Sequence, residues 1–290
     1  MRLRGMLMLL TAAFIWGTTF VAQAVGMDEI GPFTYAASRF LLGFISLLIV
    51  WGAFHSQREL ARRKGKYKSG WKAGMLAGLI MFIASSMQQV ALLYTTAGKT
   101  AFITCLYIIF VPMFAVLLHR RIQAENWVGA ILAIIGLFLL AVHGDVMLSF
   151  GDGLVLISSF FWTAHILFID HFAGEVDVIE LSASQIGMCM ILSTLMALVF
   201  EDPTWPSIRQ STLAILYGGI MSAGVAFTLQ IVGQKYAEPA HAAILMSFEA
   251  IFGALASWIL LDEIMSGREI FGCVLMVAGM MVTQMGRRKP

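Results

Sequence analysis

Charged residues are scarce in this sequence. Lysine, arginine, aspartate and glutamate make up 12% of its 290 residues, and 59% of the residues are hydrophobic. Soluble domains carry roughly 25% charged residues, so a water-soluble fold does not fit this composition. The formal net charge is only +2 and no basic domain stands out, which argues against nucleic acid as a partner.

Cysteines and catalytic motifs are also sparse. Cys105, Cys189 and Cys273 are far apart and lack the spacing of metal ligands, so they are interpreted as small packing residues. The sequence has no His-Glu-x-x-His, no Gly-x-Ser-x-Gly and no pair of acids deep in apolar segments, which are signatures of hydrolytic sites. An intramembrane enzyme therefore has little support. We predict that the protein is not an enzyme and uses no metal or cofactor.

The sequence does contain ten long apolar segments. Each is long enough to cross a hydrocarbon core of about 30 Å, which takes roughly 20 residues at 1.5 Å per residue. They cover most of the chain and predict an all-α integral membrane protein without a separate soluble domain. The predicted transmembrane helices lie near 5–25, 33–54, 71–93, 98–118, 125–143, 150–169, 178–200, 211–232, 239–260 and 268–286.

The segments fall into two similar sets of five. Trp16 and Trp162 are 146 residues apart, and Gln88 and Gln230 are 142 residues apart. An odd number of crossings turns the second set over in the membrane, as in transporters with inverted repeats. We therefore predict ten transmembrane helices arranged as two inverted five-helix repeats (5+5). The predicted repeats are residues 1–145 and 146–290.

Paired glycines also recur in the two halves. Gly129 and Gly136 correspond to Gly272 and Gly279, and each pair is seven residues apart. Seven residues are about two helical turns, so each pair lies on one helix face and permits close approach of another helix. We expect these faces to pack, either against each other or at a dimer interface.

Basic residues are unequally distributed between the predicted turns. With the N-terminus inside, fifteen of the 19 lysines and arginines fall on the inner side, and Lys99, Arg209 and Arg268 fall in outer turns. Lysine and arginine are retained on the cytoplasmic side, so both termini are predicted to be cytoplasmic. A cleaved signal peptide is an alternative for the first segment, which follows Arg2 and Arg4. Its Trp16 belongs to the repeat, which argues against cleavage.

Several motifs are similar to those of a known family. They are Gly98 to Tyr107 with Val111-Pro112, Gly151-Asp152-Gly153-Leu154, and Ser247-Phe248-Glu249-Ala250. On these motifs the chain resembles the drug/metabolite transporter (DMT) superfamily, EamA type, over essentially its whole length. The resemblance implies ten helices, a central cavity between the halves and export of amino acids or other small metabolites. That family often has proline after the glutamate of the ninth helix, whereas Ala250 follows Glu249 here.

Two charged residues lie within apolar segments. A charge there costs at least about 2.5–3.5 kcal/mol on insertion scales, so it usually faces a partner or a wet cavity. Arg39 is expected either to anchor helix ends or to bind a substrate carboxylate through its planar guanidinium. Glu249 is expected to couple transport to protons or to bind an amino group. The structural alternative for Glu249 is an ion pair, with Arg39 as a candidate partner.

Other polar and aromatic residues occupy equivalent places in the two halves. Trp16 and Trp162 are interpreted either as cavity walls or as interfacial belt residues. Tyr107 aligns with Glu249, so both could reach a site near the midplane. His165 is either a satisfied hydrogen-bonding residue or a proton relay. The amides that either bind substrate or hold helices together are Gln88, Gln89, Gln185 and Gln230.

Lys99 and His241 stand near helix starts, on opposite sides of the membrane in the predicted orientation. Each is either a charged helix end or a gate residue. Mismatches between the repeats, such as Arg39 against Gln185, are where we expect the binding site. A substrate with unlike ends needs unlike partners.

The predicted function is a secondary transporter that exports small metabolites, such as amino acids, across the bacterial cytoplasmic (inner) membrane by alternating access. Export follows from the family resemblance alone. A multidrug exporter is the runner-up, because aromatic and methionine-rich segments favour bulky apolar cargo, and an uncoupled facilitator with the same fold is a further alternative. The expected partners are the small-molecule substrate, membrane lipids and protons as a coupling ion. The protein is expected to be a monomer or a homodimer.

Overall fold

The computed structural model describes residues 3–27, 29–95, 97–119, 122–142, 149–261 and 265–285. These residues are nearly all helical, and the β-type pairing found among them is an isolated parallel bridge between Lys68 and Val176. Parts of the sequence argument lie outside the described residues. They are the repeat boundary at 145–146, the basic residues Arg2, Arg120, Arg121, Arg287, Arg288 and Lys289, position 143 of the fifth predicted helix and position 286 of the last.

The helices follow the apolar segments closely. Within the described ranges, nine stretches are long and apolar enough to cross a membrane, and they coincide with the first nine predicted segments. The helix α15 corresponds to the tenth segment; a count of ten crossings and the side of each terminus stay predictions. The elements are α1 Leu3–Gly26, α2 Pro32–Ala53, α3 His55–Arg63, α4 Trp71–Ala91, α5 Ala97–Thr104, α6 Tyr107–Leu117, α7 Ala124–Ala141, α8 Phe150–Phe172, α9 Val178–Phe200, α10 Trp205–Gln210, α11 Thr212–Leu216, a π-helical segment Tyr217–Ala226, α12 Phe227–Gln234, α13 Pro239–Met246, α14 Glu249–Leu261 and α15 Gly267–Met285.

Two of the membrane-crossing stretches are interrupted by a tightened turn. One turn joins α5 to α6, and the other joins α13 to α14. In the first, the Leu106 N–H donates to the Ile103 carbonyl, and in the second the Phe248 N–H donates to the Leu245 carbonyl. These bonds span three residues, as in a 3₁₀ turn. The turn in the second half forms although alanine (Ala250), and not proline, follows Glu249.

Glycines allow two helices from different halves to pack closely. A Cβ atom added to Gly136 of α7 would meet the carbonyl oxygen of Gly272 in α15, and the reverse also holds. Gly129 and Gly279 face each other in the same way. Close backbone approach of this kind is typical of small residues at helix interfaces in membranes. The structure therefore confirms that the paired-glycine faces pack against each other.

A buried ion-pair cluster closes the end of the bundle that carries the linker between α2 and α4. Arg58 of α3 lies 2.8 Å from Asp177 and 3.1 Å from Glu180 at the start of α9. Glu180 also accepts a hydrogen bond of 2.9 Å from the Gly70 N–H, just before α4. The linker, α4 and α9 are thus joined at this end.

At the opposite end, a carboxylate caps the start of α2. Glu201 follows α9 and accepts hydrogen bonds from the Phe33 N–H at 2.8 Å and from the Thr34 N–H at 2.7 Å. The first N–H groups of a helix have no partner within the helix, and a negative charge is favourable there. The two ends of α9 therefore connect it to neighbouring helices on both sides of the bundle.

Candidate functional site

A cavity lies among helices from both halves of the chain. Its empty space is about 640 Å³, including the part open to solvent, which is within the usual range for small-molecule sites of roughly 300–1,000 Å³. Seven of the predicted site residues line it. The lining consists of Trp16, Phe20, Gln23, Arg39, Met81, Ser85, Gln88, Thr104, Tyr107, Trp162, Ile166, Ser222, Phe227, Gln230, Met246 and Glu249.

Aromatic rings form one part of the cavity wall. The Trp162 and Phe227 rings are nearly parallel, with centroids 6.2 Å apart and an interplanar angle of 11°. Trp16 also contacts the Phe227 ring, at a centroid distance of 4.9 Å. Both indole nitrogens are buried and have no hydrogen-bond partner among the described residues. The wall therefore offers apolar surface together with two unused N–H donors.

Arg39 brings a positive charge to the cavity. Its guanidinium carbon lies 4.7 Å from the centre of the Phe40 ring and 5.5 Å from that of Tyr35. Within the described ranges, no carboxylate lies within ion-pair distance of Arg39, and its Nε is buried without a partner. The ion pair with Glu249 is therefore not formed. Burying a cation without an anion is costly in free energy. Since Arg39 has no such partner among the described residues, its guanidinium is available to an anionic ligand.

Glu249 brings a carboxyl group to the same cavity. It is the first residue of α14, next to the tightened turn, and it is 7% exposed. The Tyr107 hydroxyl donates to its Oε1 at 3.3 Å, and the Cys105 thiol donates to the same oxygen at 3.5 Å. Residues of the first half therefore hold the carboxyl group of the second half in place.

The two equivalent glutamines of the cavity have different surroundings. Gln88 Nε2 donates to Thr104 Oγ1 at 2.7 Å. Gln230 is 2% exposed, and its Oε1 is buried without a hydrogen-bond partner in the described part of the chain. The position equivalent to Thr104 is occupied by Met246, whose thioether is only a weak acceptor.

Three predicted residues are buried near the cavity but are not part of its lining. His165 is fully buried, and its Nε2 lies 3.1 Å from Gln185 Oε1. Gln89 Nε2 donates to the Met27 sulfur at 2.6 Å. These contacts connect helices within each half, and a role of these residues in substrate binding or proton transfer stays a prediction.

Lys99 and His241 also lie outside the cavity wall. Lys99 Nζ is 3.8 Å from Asp152 Oδ2, near the start of α8. His241 is 3% exposed, and its Nε2 lies 2.9 Å from the Thr283 carbonyl oxygen of α15. The gate function stays a prediction for both residues. Among the described residues, no group of three or more His, Cys, Asp and Glu side chains could hold a metal ion.

The repeat also points to cavity residues that the sequence argument did not single out. Thr104 and Met246 are 142 positions apart, as are Ser85 and Phe227, and all four line the cavity. Extending the alignment from the polar landmarks to their neighbours would have found them. Cys105 was assigned only a packing role, and its contact with Glu249 depends on the turn between α5 and α6, for which the sequence gives no clear signal.

Comparison with known proteins places the chain among membrane transporters. A sequence model of the EamA-like transporter family matches residues 3–142 and 149–285. An uncharacterized transporter of Archaeoglobus fulgidus is 28% identical over 287 residues, covering 98% of this chain and 87% of the relative. The uncharacterized transporter YoaV of Bacillus subtilis is 24% identical, with 94% of each chain covered.

Two further similarities concern a named function and a solved fold. A probable amino-acid metabolite efflux pump of Salmonella typhimurium is 26% identical, and the match covers 98% of this chain and 95% of the pump. A protein of known crystal structure, 21% identical, superposes with a TM-score of 0.79 over 99% of both chains. The second similarity establishes a shared fold.

Proposed function

The chain belongs to the EamA-like transporter family, and from this premise we propose that it exports small metabolites such as amino acids across the bacterial cytoplasmic membrane. Two five-helix units, residues 1–145 and 146–290, move relative to each other and expose the cavity to one side of the membrane at a time. Ten helices cross the membrane in this arrangement, and both termini are cytoplasmic.

The observation that carries this proposal is that a guanidinium and a carboxyl group line one cavity without forming an ion pair with each other. Arg39 and Glu249 both line it, and they do not form an ion pair with each other. An amino acid carries a carboxylate and an ammonium group, so each end of it meets a residue of opposite charge. Arg39 binds the carboxylate through its planar guanidinium, and Glu249 binds the ammonium group.

The aromatic wall can bind the side chain of such an amino acid. Trp16, Trp162 and Phe227 offer ring surface to an apolar side chain of the substrate. Side chains of different shapes can contact these rings. The Met81 and Met246 side chains add adaptable surface to the same cavity, because methionine is unbranched and polarizable. A range of apolar side chains therefore fits beside the two charged groups.

Glu249 also supplies a route for coupling to protons. A proton and a substrate ammonium group compete for the same carboxylate, since each neutralises its charge. Protonation of Glu249 from outside would then release the substrate, and loss of that proton to the cytoplasm would prepare the site for the next substrate. One proton enters for each substrate that leaves in this cycle.

Counterflow in proteoliposomes tests the proposal. Vesicles loaded with unlabelled L-phenylalanine should accumulate labelled L-phenylalanine, and a pH gradient should change the rate. A counterflow rate that is the same with and without a pH gradient would indicate an uncoupled facilitator with the same fold. Absence of counterflow, together with unchanged amino-acid levels in medium from cells that overproduce the protein, would contradict amino-acid export.

The aromatic wall favours a multidrug exporter as the second candidate. Aromatic cations such as ethidium would bind by stacking on the rings and by attraction to Glu249, without using Arg39. Ethidium efflux that persists in Arg39→Met, in a protein that does not exchange L-phenylalanine, would support this alternative.

A further inference from the structure

We infer that Gln230 hydrogen-bonds the substrate in the cavity, whereas its repeat counterpart Gln88 is a structural residue. The inference rests on the proposed transport function and deepens it by giving different roles to two residues that the repeat makes equivalent. It also names the substrate chemistry at this point of the wall, which is a hydrogen-bond donor such as an ammonium N–H.

In the first half, the glutamine already has a protein partner. Gln88 on α4 donates from Nε2 to the Thr104 hydroxyl at the end of α5, at 2.7 Å. This distance is that of a well-formed hydrogen bond. The Gln88 amide thus connects two helices, and its bond would have to break before the same donor could bind substrate.

In the second half, the corresponding partner is missing from the sequence. Met246 stands 142 positions after Thr104, at the end of α13, and it has no hydroxyl group. No hydrogen bond of the Gln230 amide is found within the described ranges, and its Oε1 is buried without a partner. Roughly 90% or more of buried polar groups have a partner, and a ligand in the cavity would supply the partner that this amide lacks.

The chemistry of the orphaned atom defines what it binds. An amide oxygen accepts hydrogen bonds and carries no charge. Gln230 Oε1 therefore complements a donor such as the N–H of an ammonium group, while Glu249 neutralises the charge of the same group. An amine whose nitrogen carries three methyl groups keeps its charge but has no N–H, so it can use Glu249 and cannot use Gln230.

Two substitutions test this assignment by opposite means. Gln230→Leu removes the amide, whereas Met246→Thr keeps it and adds a neighbouring hydroxyl whose O–H can donate to Gln230 Oε1 in place of the substrate. Both should weaken binding of L-phenylalanine by about 10-fold or more, the value of one hydrogen bond to a charged group. Neither should weaken binding of N,N,N-trimethyl-phenylalanine by this amount, because that probe has no N–H to lose. Dissociation constants are measured by calorimetry on the purified full chain.

A matched control lies four residues along the same helix. Gln234 is buried, does not line the cavity, and donates to the Ile166 carbonyl oxygen at 2.9 Å. Gln234→Leu should lower the melting temperature and leave both dissociation constants within a factor of two of the wild-type values. This control separates loss of a buried amide from loss of a ligand contact.

The possible outcomes distinguish the inference from the function on which it rests. If the wild-type protein binds L-phenylalanine and both Gln230→Leu and Met246→Thr bind it equally well, Gln230 does not contact the substrate and the inference is wrong. If the two variants lose equal affinity for L-phenylalanine and for the trimethylated probe, the inference is also wrong. A wild-type protein that neither binds nor exchanges any amino acid contradicts the proposed function, and this inference with it.

Discussion

The Tyr107 hydroxyl donates a 3.3 Å hydrogen bond to Glu249 Oε1, and the two residues stand 142 positions apart. They are the first residues of α6 and α14, each just after a tightened turn. Equivalent positions of two similar halves thus meet at one point of the cavity. Since one position holds a phenol and the other a carboxyl group, the contact joins the halves and makes the site asymmetric.

Glu249→Gln should reduce amino-acid transport strongly. The amide keeps the size of the side chain but removes the negative charge that we assign to ammonium binding and proton coupling. Hydrogen bonds to charged groups are worth about 1.5–3 kcal/mol, so a loss of at least tenfold in counterflow of L-phenylalanine is expected. Tyr107→Phe, which removes a supporting donor and leaves the charge, should have a smaller effect. Unchanged transport with unchanged pH dependence in Glu249→Gln would show that the coupling role is wrong.

Arg39→Met should abolish binding of L-phenylalanine without destabilising the protein. Arg39 is a buried cation without a carboxylate partner in the described part of the chain, and replacing a buried charge by an apolar side chain of similar length is often neutral or stabilising. The melting temperature in detergent should therefore stay the same or rise. The methyl ester of phenylalanine, which lacks the carboxylate, should bind wild type and variant alike. A fall in melting temperature with unchanged affinity would instead identify Arg39 as a structural anchor.

Arg58→Ala should destabilise the end of the bundle that holds the linker. The Arg58, Asp177 and Glu180 side chains are only 13%, 9% and 6% exposed, and removing one partner of a buried ion pair costs about 3–5 kcal/mol. A clear fall in melting temperature is expected. Lys68→Ala is the matched control, because the pair of Lys68 with Glu175 is 79% and 51% exposed, and exposed pairs contribute little. Equal melting temperatures of the two variants would contradict this account.

Gly136→Ala should weaken the packing of α7 on α15. The added methyl group would meet the Gly272 carbonyl oxygen, and overpacking of this kind costs about 1–3 kcal/mol. Gly153→Ala provides a control in α8, where an added Cβ has no neighbour within 4 Å. That variant should be unchanged or more stable by up to about 1 kcal/mol, because alanine favours a helix over glycine. The comparison requires only thermal unfolding curves of the two proteins in the same detergent.

The helices could be predicted from sequence because each one is a local property of the chain. A helix in a bilayer satisfies its backbone hydrogen bonds within its own segment, so a long apolar run specifies it without knowledge of its neighbours. The short helix α3 and the turns before Tyr107 and Glu249 were not predicted. The turns interrupt apolar runs whose composition does not change there, and α3 lies in a polar segment without the apolar length that marks a membrane helix.

The sequence was sufficient to select Arg39 and Glu249, because a charge within an apolar segment stands out. It also selected Tyr107 and the paired tryptophans, because equivalent residues of a repeat can be matched by counting. It could not show that Gln88 has a protein partner while Gln230 has none among the described residues. Nor could it show that Arg39 and Glu249 remain apart, or that His165 bonds to Gln185 away from the cavity. These facts depend on the rotation and tilt of each helix, which packing between helices sets and hydrophobic length does not. Residue types and their positions in each helix are therefore a property of the sequence, whereas the partners of each side chain arise only when the helices pack together.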